Sequence, residues 1–353
     1  MKAFARTLVN ATAGTFDRAV VAAVRRAQGR GAERSWKRDE RLAMLTALRS
    51  SYGEAMAAGE ADAVLFPPPP PTELSLRSIR RTNYGATVAD AEWPSGYRPL
   101  LNEVSERYLA ARANHTAHAR LFLHPAPRPA LILVHGYLGG HYRFEEFAFP
   151  LPWLYRLGFD VALFVLPFHA RRAAPGRGGA PPFPGSDPRF TIEGFRQATG
   201  DLRALLGWLR RRGAPSVGVM GMSLGGYTSA LTATIEPSLS FAVPVIPLAC
   251  LADFARDSGR LGPPPGSSIE HEALSGVYQP ISPLARPGLL PKGRMLIVGA
   301  QGDAITPMRH AERLAAHFEA PLVSFAGGHL MQLGVREAWR KVKGFWRGLD
   351  LIA

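Results

Sequence analysis

Ser223 lies in the run Gly221-Met222-Ser223-Leu224-Gly225-Gly226, which follows the apolar stretch VGVM and precedes a helix-length segment. This is a G-x-S-x-G pattern in the strand–turn–helix context that such a nucleophile turn requires. A serine on so sharp a turn needs a strained backbone, and glycines two residues before and after it remove the Cβ atoms that would clash. A hydroxyl at neutral pH is a weak nucleophile and needs a base to take its proton. His329, in Ala326-Gly327-Gly328-His329-Leu330, follows the apolar run LVSF. The base in turn needs an acid that fixes its tautomer and stabilises the imidazolium. Asp303, in Gly299-Ala300-Gln301-Gly302-Asp303-Ala304-Ile305-Thr306-Pro307, follows the run MLIV. The chain order is Ser, Asp, His, with gaps of 80 and 26 residues, each just past a predicted strand. An isolated loop His or Asp is ordinarily solvated surface, but three such residues at three strand ends are poorly explained that way.

Acyl transfer through this trio builds negative charge on the carbonyl oxygen, and backbone N–H groups must meet it. Leu224, the residue after the nucleophile, supplies one. The second is expected from His135-Gly136-Tyr137-Leu138-Gly139-Gly140, which follows ALILV: Tyr137 first, Leu138 next. His135 itself is expected to be structural, hydrogen-bonded within its loop. Met222, beside the serine, and His169 and Arg171, in Pro167-Phe168-His169-Ala170-Arg171-Arg172, are candidate substrate contacts. Arg171 serves equally well in a structural reading, pinning its loop through carbonyls or Asp187. Trp93 and Tyr97 are expected in core packing, and Asp253 is a fallback acid ranked below Asp303. The single cysteine, Cys250, excludes an internal disulfide and a cysteine-based zinc cluster and is expected to act as a small hydrophobe. The chemistry needs neither a metal nor an organic cofactor.

The elements that must position these residues are legible from residue 120 onward. Unbroken apolar runs at 130–134, 161–165, 217–220, 241–246, 295–298 and 322–325 suit strands buried on both faces of a parallel sheet. Helix-length segments at 144–157, 191–212, 224–235, 305–318 and 331–349 alternate with them, which predicts an α/β layer fold. Two proline-rich connections, 167–190 and 248–292, are too long for turns and are expected to be lids or binding loops on the ligand side of the sheet.

The first 120 residues have a different character. Of the 353 residues, 42 are Lys or Arg and 28 Asp or Glu, giving a net charge of +14, and residues 1–50 carry +7 of it. Phe4, Leu8, Ala11, Phe16, Val20 and Val24 recur at near-helical spacing, with Arg18, Arg25, Arg26 and Arg30 mostly off that stripe. The spacing predicts a helix packed on the main domain, with peripheral contact to an anionic membrane as the second reading. No nucleic-acid module is present, and basicity alone gives only non-specific attraction. Leu42, Leu45 and Leu48 predict a second helix within 34–60, and the run 67–71 of five prolines a stiff spacer. The division expected is a helical extension at 1–66, a proline-rich linker and docking segment at 67–119, and a catalytic domain at 120–353. No run of about 18 apolar residues suggests a membrane span, and the N-terminus lacks the pattern of a secretory signal. A cytoplasmic location is the resulting expectation.

The segment 120–350 resembles the α/β-hydrolase superfamily of serine hydrolases through HGYLGG, GMSLGG, QGDAITP and GGH. WPSGY, LPFHARR and SPLA also resemble an uncharacterised esterase- or lipase-like abhydrolase-domain branch. The resemblance implies a mostly parallel central sheet with helices on both faces, and a lid at 248–292 after the sixth strand of that fold. It also implies a carboxylic-ester hydrolase acting on a small acyl ester through an acyl-enzyme. The same trio serves thioesterases, amidases and acyltransferases, and a non-catalytic binding module is the reading from another class.

Overall fold

The computed structural model describes residues 2–28, 37–57, 61–174, 181–261 and 266–353. Arg30, residues 175–180 of the first long connection and 262–265 of the second lie outside them, as do the side chains of Phe4, Val24, Arg25 and Arg26.

Among the described residues the first elements are helices α1 (Lys2–Gln28), α2 (Arg38–Ala57) and α3 (Ala61–Leu65). Strands β1 (Ser75–Arg81) and β2 (Thr87–Pro94), helix α4 (Asn102–Leu109) and strand β3 (Thr116–Leu123) come next. Thereafter strands and helices alternate. β4 (Ala130–Val134) leads through α5 (Tyr142–Ala148) and α6 (Leu151–Arg156) to β5 (Asp160–Phe164), and α7 (Pro188–Arg211) leads to β6 (Val217–Met222). Then come α8 (Leu224–Thr232), β7 (Phe241–Val245), α9 (Leu251–Asp257), α10 (Gly266–Val277), β8 (Ile297–Ala300), α11 (Arg309–His317), β9 (Leu322–Phe325) and α12 (Val335–Gly348). The nine strands of the described residues form one sheet in the order β1-β2-β3-β5-β4-β6-β7-β8-β9, antiparallel from β1 to β5 and parallel from β5 to β9.

Alternate residues of each buried strand face opposite layers. Ala130, Ile132 and Val134 of β4 join α2, α7, α8 and α11 in one core, whereas Leu131 and Leu133 join α6 and α12 in the other. The sheet is therefore sandwiched between helices, as the apolar runs predict. Runs 130–134 and 322–325 coincide with β4 and β9. The expected helix 144–157 is broken into α5 and α6 at Phe149-Pro150, where proline has no N–H to give. The helix expected from 305 starts at Arg309, because the amides of Ile305 and Thr306 are taken by the Asp303 side chain.

Residues 67–119 differ from the expected linker and docking segment. They supply β1, β2 and the start of β3, and β2 pairs with β3 in unbroken register from Thr87–Leu123 to Pro94–Thr116. The sequence hid this because β1, SLRSIRR, is exposed along its whole length and shows no apolar alternation. The N-terminal segment thus contributes strands to the sheet, and the 248–292 insertion follows the chain's seventh strand. The extension 1–66 also packs against the rest. Leu45, Leu48 and Tyr52 of α2 are core residues, Tyr52 donates to Glu193 at 2.7 Å, and Arg41 is bonded to Glu270 on α10.

Helix α1 forms, but it turns the other way. Leu8 and Phe16 are 60% and 45% exposed, while Ala13, Gly14 and Asp17 are buried. Small and polar residues allow a closer approach to the neighbouring loops than the predicted apolar stripe would. No described helix is long and apolar enough to cross a membrane.

Candidate active site

Ser223 stands between β6 and α8 with φ 56° and ψ −113°. A left-handed φ in a non-glycine residue costs of order 1–3 kcal/mol and persists only where the surroundings enforce it. The surroundings here are glycines. A Cβ on Gly221 would sit 2.1 Å from the Gly225 carbonyl oxygen, and one on Gly225 would sit 2.0 Å from the Val134 carbonyl oxygen. The elbow is thus pressed onto the end of β4. Ser223 N–H donates to Val245 at 2.9 Å, which ties the elbow to the end of β7.

The loop after β4 lies alongside. A Cβ on Gly136 would meet that of Ser223 at 3.5 Å, so the peptide preceding Tyr137 passes beside the serine. Leu138 has φ 66° and Gly140 φ 95°, and the turn is closed by Gly139 N–H donating to Gly136 at 3.1 Å. Glu145, buried on α5, accepts from Gly140 N–H at 2.8 Å and holds the loop from outside. Burial raises the Glu145 pKa against the lowering effect of that amide. His135 is structural, as expected. Its Nε2 accepts from Leu166 N–H at 3.0 Å, so Nδ1 carries the proton and donates to Gly136 at 2.7 Å. Burial, followed by the charge of nearby His169, puts the His135 pKa well below the ordinary histidine value.

Asp303 follows β8 and His329 follows β9. Their side chains meet at 2.8 Å, Oδ2 to Nδ1. The Asp303 side chain is fully buried and its Oδ1 accepts from the amides of Ile305 and Thr306 at 2.8 and 2.7 Å. A carboxylate so placed can only accept, so the His329 proton sits on Nδ1 and leaves Nε2 with its lone pair. Thr306 completes the arrangement: its hydroxyl lies 3.0 Å from Asp303 Oδ2, His329 Nδ1 and the Ile246 carbonyl oxygen. Sequence reasoning missed Thr306, although a hydroxyl three residues after the acid is a recognisable local hydrogen-bonding pattern. Glu145 carried no sequence signal. Val245 and Ile246 are adjacent at the end of β7: the serine elbow is tied to the first, and the Asp303–His329 pair to the second through Thr306.

The secondary candidates separate. His169 is buried with its ring 5.9 Å from that of Tyr137. Its Nδ1 donates to Pro167 at 2.8 Å, and its buried Nε2 has no partner among the described residues. Burial pushes its pKa down to about 4. Met222 is partly buried beside the serine. Arg171 is engaged by Asp90 at 3.4 Å and Glu92 at 3.8 Å and lies over the Tyr142 ring. Asp187, the other suggested partner, instead caps α7 through Arg189 N–H. Next to Arg171, and unanticipated, Arg172 is fully buried against Asp201 at 2.7 Å. The fallback acid Asp253 is bound to His271 at 2.7 Å and to Arg313 and Arg256. Burial pushes its pKa up, but these partners outweigh that and hold it at about 2. Trp93 stacks near Phe164 in the core, and Tyr97 bonds Glu193 and Arg196. Among the described residues no cluster could hold a metal ion.

No family model matches the chain. It is 34% identical over 270 residues to an uncharacterized protein of Mycobacterium tuberculosis, matched alike in strains H37Rv and CDC 1551. The match covers 74% of this chain and 64% of those relatives, so the chain spans about two-thirds or less of their length. Among solved structures it resembles acetyl xylan esterase 1 of Thermoanaerobacterium sp. JW/SL YS485, with a TM-score of 0.55 at 18% identity over 87% of this chain and 94% of that one. It also resembles an acetyl xylan esterase of Paenibacillus sp. R4, with a TM-score of 0.53 at 15% identity over 91% and 97%. The architecture is the α/β-hydrolase fold.

Proposed function

We propose that this α/β-hydrolase fold is a serine hydrolase of carboxylic esters, with Ser223 as nucleophile, His329 as base and Asp303 as its orienting acid. The observation that carries the reading is the Ser223 backbone, held in a costly left-handed conformation by glycines packed against β4. Strain of this kind at a strand end is what a nucleophile elbow stores, and the Asp303–His329 pair at 2.8 Å supports the same assignment.

The reaction runs as follows. Ser223 Oγ attacks the acyl carbon and its proton passes to His329 Nε2. Asp303 holds the Nδ1–H and stabilises the imidazolium. Backbone N–H groups of Tyr137 and Leu224, with Leu138 next in line, receive the developing oxyanion. The alcohol leaves with the proton from His329, and water then hydrolyses the acyl-enzyme by the same route. Met222 and His169 border the acyl group, whereas Arg171, spent on Asp90 and Glu92, holds its loop. Residues 120–353 carry the chemistry, with 248–292 as lid. A cytoplasmic site of action belongs to this reading, and so does peripheral membrane contact through α1. The outward Leu8 and Phe16, flanked by exposed Arg6 and Arg18, support that contact.

A fluorophosphonate probe and a panel of p-nitrophenyl esters, acetyl first because two structural neighbours are acetyl xylan esterases, test the proposal. Wild-type protein should label at Ser223 and turn over an ester, and Ser223→Ala should do neither. An unlabelled wild type, or turnover that survives Ser223→Ala, overturns it in favour of a binding module or another nucleophile.

A further inference from the structure

Asp17, on the N-terminal helix α1, is fully buried, and its carboxylate reaches both loops that carry the acid and the base. Oδ2 accepts from the amide of His329 at 2.7 Å and from that of Ala304 at 3.3 Å, and Oδ1 accepts from Leu330 N–H at 3.0 Å. One side chain thus spans the residue after Asp303 and the backbone of His329. Two turns earlier on the same face, Asn10 Oδ1 accepts from Gly327 N–H at 2.9 Å, and its amide donates to Gln301 at 3.4 Å. Between them the helix and the loops touch backbone to backbone. A Cβ on Gly14 would sit 2.9 Å from the Gly302 carbonyl oxygen, one on Gly302 2.5 Å from that of Asn10, and one on Gly328 2.6 Å from Asp17 Oδ2.

A buried carboxylate is costly unless its lone pairs are used. An anchor for α1 alone could take any partner on the domain surface. This one takes the amides that set where His329 and Asp303 stand relative to each other. Residues 10, 13, 14 and 17 share one helix face, so the contact is a single rigid strip. We infer that Asp17 is a positioning residue: through these amides it fixes the separation of the two loops, and with it the Asp303–His329 contact, so that α1 is part of the catalytic apparatus. The inference rests on the hydrolase reading of Asp303 and His329.

Full-length Asp17→Asn keeps the size of the side chain but turns one acceptor into a donor facing an amide. Its kcat should fall about 10- to 100-fold with KM changed less than about twofold. The downfield proton signal of His329 Nδ1–H should weaken or vanish while the far-ultraviolet dichroism stays that of wild type. Asp17→Ala should speed amide exchange at 301–306 and 327–333, and Phe16→Ala, on the exposed face, should not. Wild-type kcat and an unchanged downfield signal in folded Asp17→Asn overturn the inference. If that variant does not fold, Asn10→Ala decides by the same measurements, with a smaller loss expected and no loss being fatal. The labelling of wild-type Ser223 keeps the two claims apart. An unlabelled wild type removes the hydrolase reading, whereas a labelled wild type with unaffected Asp17 variants removes only this one.

Discussion

The Thr306 hydroxyl stands 3.0 Å from His329 Nδ1, the atom that also meets Asp303. It donates toward Ile246 or Asp303 and shares the imidazole proton. Thr306→Val removes these contacts at constant shape. The expected result is a fall in kcat of about tenfold, together with a loss of about 1 kcal/mol of stability from the buried partners left unpaired. Ester hydrolysis and thermal unfolding of the same preparation check both numbers.

Two glycines should respond in opposite directions. Gly225→Ala drives a Cβ to 2.0 Å from the Val134 carbonyl oxygen, which no rotamer change relieves, and should cost about 3 kcal/mol or more. Gly53, inside α2, has nothing within 4 Å of its would-be Cβ, and Gly53→Ala should stabilise by about 0.5–1 kcal/mol. Urea unfolding of the two variants against wild type should give midpoint shifts of opposite sign.

Arg172 and Asp201 form a buried pair at 2.7 Å, with Arg172 also donating to Asn114 and the Val165 carbonyl. Burial raises the Asp201 pKa and Arg172 opposes it. Arg172→Met strips the carboxylate of its cation, leaving it the Ser95 hydroxyl, and should destabilise by about 3–5 kcal/mol, much of it recovered in the double variant Arg172→Met/Asp201→Leu. Equal losses in the single and double variants would contradict this account.

His169 and His310 are both buried, and burial takes each from 6.5 to about 4. A histidine whose pKa is lowered by burial costs the folded state nothing while it is neutral, above about pH 6.5. As the pH falls toward 4 the unfolded chain takes up the proton first, which destabilises the fold by up to roughly 3 kcal/mol for each histidine. The urea midpoint should therefore drop between pH 7 and pH 4.5. The drop should be smaller in His310→Asn, which keeps an acceptor for the Ala249 amide.

β4, β5, β7 and β8 were legible because both their faces are buried and their runs are apolar, whereas β9 is part-exposed and was read from its short apolar run alone. The placing of Ser223, Asp303 and His329 just past β6, β8 and β9 was legible because glycines flank each of them at the end of an apolar run. What escaped was the polar support. Thr306 lies three residues after Asp303, a local pattern the reading passed over, and Glu145 reaches the nearby Gly140 amide from α5, whereas Asp17 acts on amides so distant in the chain that its local sequence carries no sign of them. In α1 the apolar period was real but pointed to solvent, because close backbone contact through Ala13 and Gly14 outweighed it. β1 was invisible because a strand paired on one side and wet on both faces need not alternate.

That same β1 leaves a free row of amides and carbonyls at one margin of the sheet. The strand's arginines are Arg77, paired with Asp90, Arg80, paired with Glu146, and Arg81, and the pairing with β2 slips between Ser78 and Arg80. Positive charge and an irregular ladder make poor templates for a second molecule. An edge built this way resists pairing with a strand of another molecule, and replacing those three arginines by neutral residues is expected to lower solubility.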